Sequence, residues 1–172
     1  MQTLERNKTI YERRSIVSQY ITATELTSTE ERLLVWYRAD IAGGRVLDLG
    51  VGAGRTTPYL TDLATSYLGV DFSTAMVAAC RQRYPQLEFR PGDARDLSAF
   101  PEHHFDFVLF SFNGIDYVGH DDRARVLKQV ARVLRPGGIF IFSSHNLKAV
   151  SRATFLRETF RVDLSWNPVN SA

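Results

Sequence analysis

Five short runs of mostly apolar residues punctuate the chain at Arg45 to Leu49, Ser66 to Val70, Leu87 to Pro91, Phe105 to Phe110 and Ile139 to Ser143. Several carry little internal polarity, which suits strands buried on both faces. Helical patterns separate them, and strands alternating with helices predict a parallel sheet covered on both sides. Arg55 to Ala64 reads as a helix after a glycine loop. Ser73 to Tyr84 reads as another, with Ser73 as its N-cap and a stop before Pro85. Asp121 to Leu134 is the clearest helix: Val126, Leu127, Val130, Ala131 and Leu134 share one stripe, acids start it, and Arg135-Pro136-Gly137-Gly138 ends it. Upstream, Thr27 and Ser28 stand three residues ahead of Glu30 and Glu31. They offer two capping-box registers for a helix through Leu33, Leu34, Trp36 and Tyr37, ended by Gly43-Gly44. A further amphipathic helix is expected before Thr27, containing Tyr11, Ile16, Val17 and Tyr20.

Composition narrows this picture only a little. A chain of 172 residues with 44% hydrophobic and 23% charged residues is expected to fold as a single compact domain. We divide it into N-terminal cover helices (1–42), a ligand-binding core (43–146) and a short C-terminal helix and tail (147–172). The net charge of +2 is too balanced to imply a nucleic-acid or membrane partner. The single cysteine, Cys80, leaves no disulfide framework or cysteine cluster for zinc, and its setting in MVAAC suggests a buried helical position. No window approaches the ~20 apolar residues of a membrane span, and no leader pattern opens the chain, so a cytoplasmic location is the expectation.

The candidate chemistry starts in VLDLGVGAGRTTPYL, Val46 to Leu60. Open parallel sheets bind ligands at the carboxyl ends of their strands, and glycines let backbone approach a ligand closely there. A dinucleotide fingerprint needs glycines at positions one, three and six. Counted from Gly50 the sixth position is Arg55, and from Gly52 it is Thr57. The second strand ends at Asp71, whose two oxygens suit the hydroxyls of a ribose. The third leads into Pro91-Gly92-Asp93-Ala94, which offers an acid and an amide to an adenine edge, although an aspartate in a turn is often only a turn former.

These stretches resemble the class I S-adenosylmethionine-dependent methyltransferases, especially their small-molecule branch. VLDLGVGAG, GVDFSTAM, PGDARDL, FDFVLFSFNGIDYV and LRPGGIFIFSSHN are similar, in order, to that family's successive motifs over Thr27 to Asn146. The resemblance implies a three-layer Rossmann-like α/β fold with about five strands in the order 3-2-1-4-5. It also implies S-adenosylmethionine as cofactor. Asp48 with Gly50, Gly52 and Gly54 would form the loop around its methionine part. Asp71 would hold the ribose, Met76 would lie against adenine, Asp93 would accept the exocyclic amine, the Ala94 amide would serve a ring nitrogen, and Ser111 would face the methionine end. This assignment is chemically coherent, since adenosylmethionine carries a carboxylate, an ammonium and a sulfonium but no phosphate, so the missing sixth-position glycine matters less.

Methyl transfer needs the nucleophile aligned behind the methyl carbon, and holding that geometry can supply ~7–11 kcal/mol. The lip of the crevice offers Asn113, Asp116, Tyr117, His120, His145 and Asn146, with Phe112, Tyr117, Tyr11 and Tyr20 available to shape an aromatic pocket. His145, just beyond the fifth strand, is the candidate base, against the plainer reading that it caps a following helix. His120 is expected at a helix start and His103-His104 in a loop at the opposite edge. A magnesium site is not expected, because oxygen ligands are too few near the last two strands. The expected partner is a small-molecule methyl acceptor at oxygen or nitrogen. Leu147 to Phe160 can form a helix and Val162 to Trp166 one short strand, which falls short of the family's C-terminal hairpin of strands six and seven. The fifth strand is therefore expected to be covered by the tail or by a second copy in a homodimer. Two other functions stay open: a non-catalytic cofactor-binding protein on the same scaffold, and a nicotinamide-dependent oxidoreductase, which the sixth-position residues disfavour.

Overall fold

The computed structural model of the protein describes residues 9–145. The expected helix and strand after Asn146 lie outside them. Five strands, β1 (Arg45–Leu49), β2 (Ser66–Asp71), β3 (Glu88–Pro91), β4 (Phe105–Phe110) and β5 (Leu134–Phe142), form one parallel sheet in the order β3-β2-β1-β4-β5. The order reverses between β2-β1 and β4, which opens the crevice expected at the carboxyl ends.

Alternating residues of the central strands feed two cores, as the period of a strand requires. On one face Val46, Phe107 and Leu109 pack with Leu34, Ile41 and Leu60. On the other, Leu47, Leu49, Val108 and Phe110 pack with Val126, Val130 and Val133. The last three lie on α6 (His120–Val133); of its expected stripe Val126 and Val130 are buried, Leu127 and Ala131 are exposed, and Val133 is buried in their place. The other helices are α1 (Arg14–Thr22), α2 (Ser28–Trp36), α3 (Arg38–Ile41), α4 (Thr57–Thr61) and α5 (Thr74–Arg83). None of the described helices is long and apolar enough to cross a membrane.

Local chemistry explains where expectation and structure part. Ser73 caps α5 by accepting the Met76 N–H at 3.2 Å. Of the two capping-box registers the chain uses Thr27 with Glu30, whose Oε2 accepts both the Thr27 N–H and its hydroxyl at 2.8 Å. Glu30 is preferred to the exposed Glu31 because it has a second, buried partner, described below. α4 is shorter than Arg55 to Ala64, since the chain needs Arg55 and Thr56 to leave the glycine loop before Pro58 fixes the first helical turn. β5 begins at Leu134 rather than Ile139: Leu134 pairs with Phe105, the Arg135-Pro136-Gly137-Gly138 turn bulges out, and regular pairing resumes with Ile139 opposite Phe107. Among the described residues β5 pairs only with β4.

Gly69, in the middle of β2, is required by packing. A Cβ there would lie 2.5 Å from the Phe89 ring of β3, a buried side chain that cannot give way cheaply. Gly69→Val should destabilise the fold by about 1–3 kcal/mol, read as a lower urea midpoint at unchanged m-value.

Candidate functional site

The loop after β1 holds Gly50, Gly52 and Gly54 at φ of 62°, 57° and 83°, a left-handed alternation that residues with side chains rarely sustain. Gly54 also needs to lack a side chain, because a Cβ would meet Tyr84 at 2.8 Å. The loop is therefore pressed onto α5, where the buried Cys80 thiol donates to the Gly52 carbonyl at 3.1 Å and the Tyr84 hydroxyl donates to the Gly54 carbonyl at 3.2 Å.

Two buried carboxylates brace this loop from different sides. Asp71, at the tip of β2, accepts the Gly52 N–H on Oδ2 at 2.8 Å and the Ser73 N–H on Oδ1 at 2.9 Å. Burial pushes its pKa up to about 6, against the lowering effect of those bonds. Asp48 is fully buried under the loop, where Oδ2 accepts the Thr56 hydroxyl at 2.6 Å and the Tyr67 hydroxyl at 3.0 Å. Its Oδ1 has no hydrogen-bond partner among the described residues, and burial pushes its pKa up to about 7.

A cavity opens above the loop. Gly50, Gly52 and Asp71 line it together with Met76, Asp93 and Ala94 and with Ser111, Phe112 and Tyr117. Seven of the residues expected at the cofactor are thus brought together. Asp48 and Gly54 are not on this wall. They sit behind the loop, because the strand turns Asp48 toward Tyr67 and Gly54 serves the contact with α5. Asp93 lines the cavity while its carboxylate is gripped by Arg95 at 2.7 Å, and Arg95 also reaches Asp122 at 2.6 Å. One face of that carboxylate is occupied by the guanidinium.

The N-terminal segment covers the cavity. Tyr11 meets the rings of Tyr20, Phe72 and Tyr117 edge-on, with centroids 5.8, 5.6 and 5.4 Å apart. Burial, with hydrogen bonds to Tyr117 and Tyr20, keeps the Tyr11 phenol protonated. The segment is pinned at two points: Ser73 Oγ donates to the Tyr11 carbonyl at 3.1 Å, and Glu12 accepts the Thr74 N–H at 2.8 Å. A third tie comes from Arg55, whose guanidinium forms a two-pronged pair with Glu30 at 2.7 and 2.6 Å and lies over Phe112 at 4.8 Å. Desolvation opposes the Glu30 charge, but Arg55 and Thr27 together hold its pKa below the ordinary range.

His145 stands at the rim, outside the residues that line the cavity. Its Nδ1 lies 2.7 Å from Asp116 Oδ2 and its Nε2 3.3 Å from the Asn113 amide nitrogen. His120 starts α6, and His103 lies in a loop near the opposite edge with Nδ1 3.1 Å from the Leu134 carbonyl. The sequence reading missed Glu30 as the partner of Arg55, Tyr67 as the partner of Asp48, and Arg95 as the clamp on Asp93. Only the first left a trace, in an arginine where a nucleotide loop would have glycine and a capping glutamate upstream.

A methyltransferase-domain family model matches residues 46–138, more than half of the chain. The chain belongs to this methyltransferase family. Membership agrees with the recognition of a class I S-adenosylmethionine-dependent methyltransferase and with the sheet order observed. Over 110 residues the chain is 41% identical to a fatty-acid O-methyltransferase of Mycolicibacterium smegmatis, covering 62% of this chain and 39% of that protein. It is 37% identical over 109 residues to a phosphatidylethanolamine N-methyltransferase of Cereibacter sphaeroides, covering 60% and 51%. A solved S-adenosylmethionine-dependent methyltransferase from Mesorhizobium loti superposes with a TM-score of 0.59 at 30% identity, over 68% of this chain and 53% of that one. The methyltransferase chain thus aligns with two fifths to one half of the length of these curated relatives.

The buried acids set a pH dependence. In the unfolded chain both ionise near ~3.9, but folded Asp48 and Asp71 ionise at about 7 and about 6. The unfolded state therefore loses its protons first, and these two groups lower stability as pH rises from ~4 to ~7. Urea midpoints of the ligand-free methyltransferase at about pH 5 and about pH 7.5 should differ in that direction, and Asp48→Asn should shrink the difference.

Proposed function

We propose that this methyltransferase binds S-adenosylmethionine in the covered cavity and transfers its methyl group to an oxygen or nitrogen atom of a small molecule. The observation that carries the reading is Asp71. Its carboxylate lines the same cavity as Gly50 and Gly52, in a loop that lacks the sixth-position glycine of a pyrophosphate site. Backbone amides of Gly52, Ser73 and Phe72 take part of its accepting capacity, and what remains suits ribose hydroxyls.

The other residues fit the same ligand. Met76 and Ala94 offer an apolar slot for adenine beside Asp93, and Ser111 with the Gly50–Gly52 backbone offers polar groups to the amino-acid end. The sulfonium supplies an activated methyl group, and aromatic rings suit a positive centre because of their negative faces. Tyr11, Tyr20 and Tyr117 would exclude water from the transfer, which needs positioning more than acid or base chemistry. The names of the relatives span oxygen and nitrogen acceptors, including lipids, and the largely apolar wall accords with an acceptor that has an apolar body. The edge of β5 that no other described strand pairs, where Phe140 and Phe142 stack at 5.2 Å, is the surface through which a second copy would pair.

Calorimetric titration with S-adenosylhomocysteine should show saturable binding, and titration with NADH none; the reverse pattern would contradict the assignment. Asp71→Ala should weaken S-adenosylhomocysteine binding by ~1–3 kcal/mol, since the ribose loses hydrogen bonds to a charged acceptor.

A further inference from the structure

Of the large side chains that line the cavity, Phe112 and Tyr117 are the exposed ones, at 47% and 40%. They therefore mark its mouth. Phe112 is the stranger of the two, because its backbone has a φ of 52° and is followed by Asn113 at 58°. Asparagine tolerates that region, whereas a bulky ring adopts it only where the surroundings enforce it. The turn is enforced by hydrogen bonds on its far side: the Asn113 N–H donates to Ser143 Oγ at 2.7 Å, and the Gly114 N–H to the Ser111 carbonyl at 3.1 Å.

The Phe112 ring does not repay this strain by packing in a core, since it belongs to none of the buried apolar clusters of the described residues. What holds it is Arg55, whose guanidinium carbon lies 4.8 Å from the ring centroid. The N–H groups of Arg55 are committed to Glu30, at 2.7 and 2.6 Å, and to the Glu25 carbonyl at 3.1 Å. Its flat face is left for the ring, a contact that a planar guanidinium makes and an ammonium does not. Arg55 does not line the cavity while Phe112 does, so the guanidinium backs the ring and the ring faces the ligand space. Glu30 neutralises the arginine, and the wall presented at the mouth is apolar.

We infer that the apolar body of the methyl acceptor rests on Phe112, that Arg55 is a positioning residue acting through that ring, and that the acceptor is an amphiphile. Its alkyl or aryl body stays at the mouth while its oxygen or nitrogen enters past Ser111, the next residue in the chain. The inference rests on the methyl-transfer reading above and assigns the part of the cavity that the cofactor does not fill. It also accounts for the strain, which removes an aromatic surface from the chain's own packing and offers it to a ligand.

The test saturates the whole chain with S-adenosylhomocysteine and titrates octan-1-ol and butan-1-ol into it by calorimetry. Octan-1-ol should bind at least about tenfold more tightly, because each buried methylene adds up to about fourfold. Phe112→Asn removes the ring and suits the positive φ. Its urea midpoint should equal or exceed that of the parent, with octan-1-ol affinity lower on the order of tenfold and S-adenosylhomocysteine affinity within about twofold. Phe112→Tyr, which keeps a ring, should retain octan-1-ol binding. Arg55→Lys keeps a cation beside Glu30 without the flat face; it should weaken octan-1-ol binding about threefold, and add no loss when combined with Phe112→Asn. Octan-1-ol binding no tighter than butan-1-ol, undiminished binding in Phe112→Asn, or a lowered urea midpoint there overturns the inference and leaves the cofactor assignment standing. An equal loss from Arg55→Lys with and without the ring overturns the role of Arg55. Failure of the parent chain to bind S-adenosylhomocysteine overturns the inference and the cofactor assignment together.

Discussion

The site is organised by one buried carboxylate. Asp71 reaches from the end of β2 across to the loop after β1 and accepts the Gly52 and Ser73 amides, so two neighbouring strand tips are locked to each other through a single side chain. The three glycines give the loop freedom to turn, and that freedom is costly unless something chooses one conformation. Asp71 chooses it from the ligand side, Asp48 from beneath, and the Cys80 and Tyr84 contacts from α5. The raised pKa values of both acids show the cost of holding charge in a poorly solvated place. Proteins tolerate such groups mostly where function needs them.

The cover over the site is an electrostatic extension of the same loop. Arg55 leaves the loop where a dinucleotide fold would have glycine, and its guanidinium satisfies Glu30, which is also the capping residue of α2. One glutamate thus starts a helix and ties it to the glycine loop. Breaking one partner of so buried a pair leaves an uncompensated charge, which makes the connection far stiffer than a surface ion pair.

Much of the architecture was legible because it rests on local signals. β1 and β4 were bounded correctly by their apolar runs and the start of α5 by the capping chemistry of Ser73, while α6 lies one residue upstream of its expected bounds, Leu134 opening β5 instead of closing the helix. The extent of β5 was not, because Pro136-Gly137-Gly138 reads as a terminator while the structure absorbs it as a bulge between paired residues. In the site, Asp71 could be placed from its position at a strand tip, and Ser111 from the family resemblance; both line the cavity. Asp48 and Gly54 could not be separated from their ligand-facing neighbours, since the orientation of a loop residue depends on Tyr67, Tyr84 and Cys80, which are distant in sequence. The contact of His145 with Asp116 spans 29 residues, and no spacing rule announces it.

The aromatic cover has a kinetic consequence. Tyr11 packs against Phe72 and Tyr117 at once, and all three line the cavity, so a molecule passing between them has to part those rings. Exchange is then governed by how readily the segment carrying Tyr11 and Tyr20 swings aside, and the residence time of a bound molecule becomes a property of residues remote in sequence from the glycine loop.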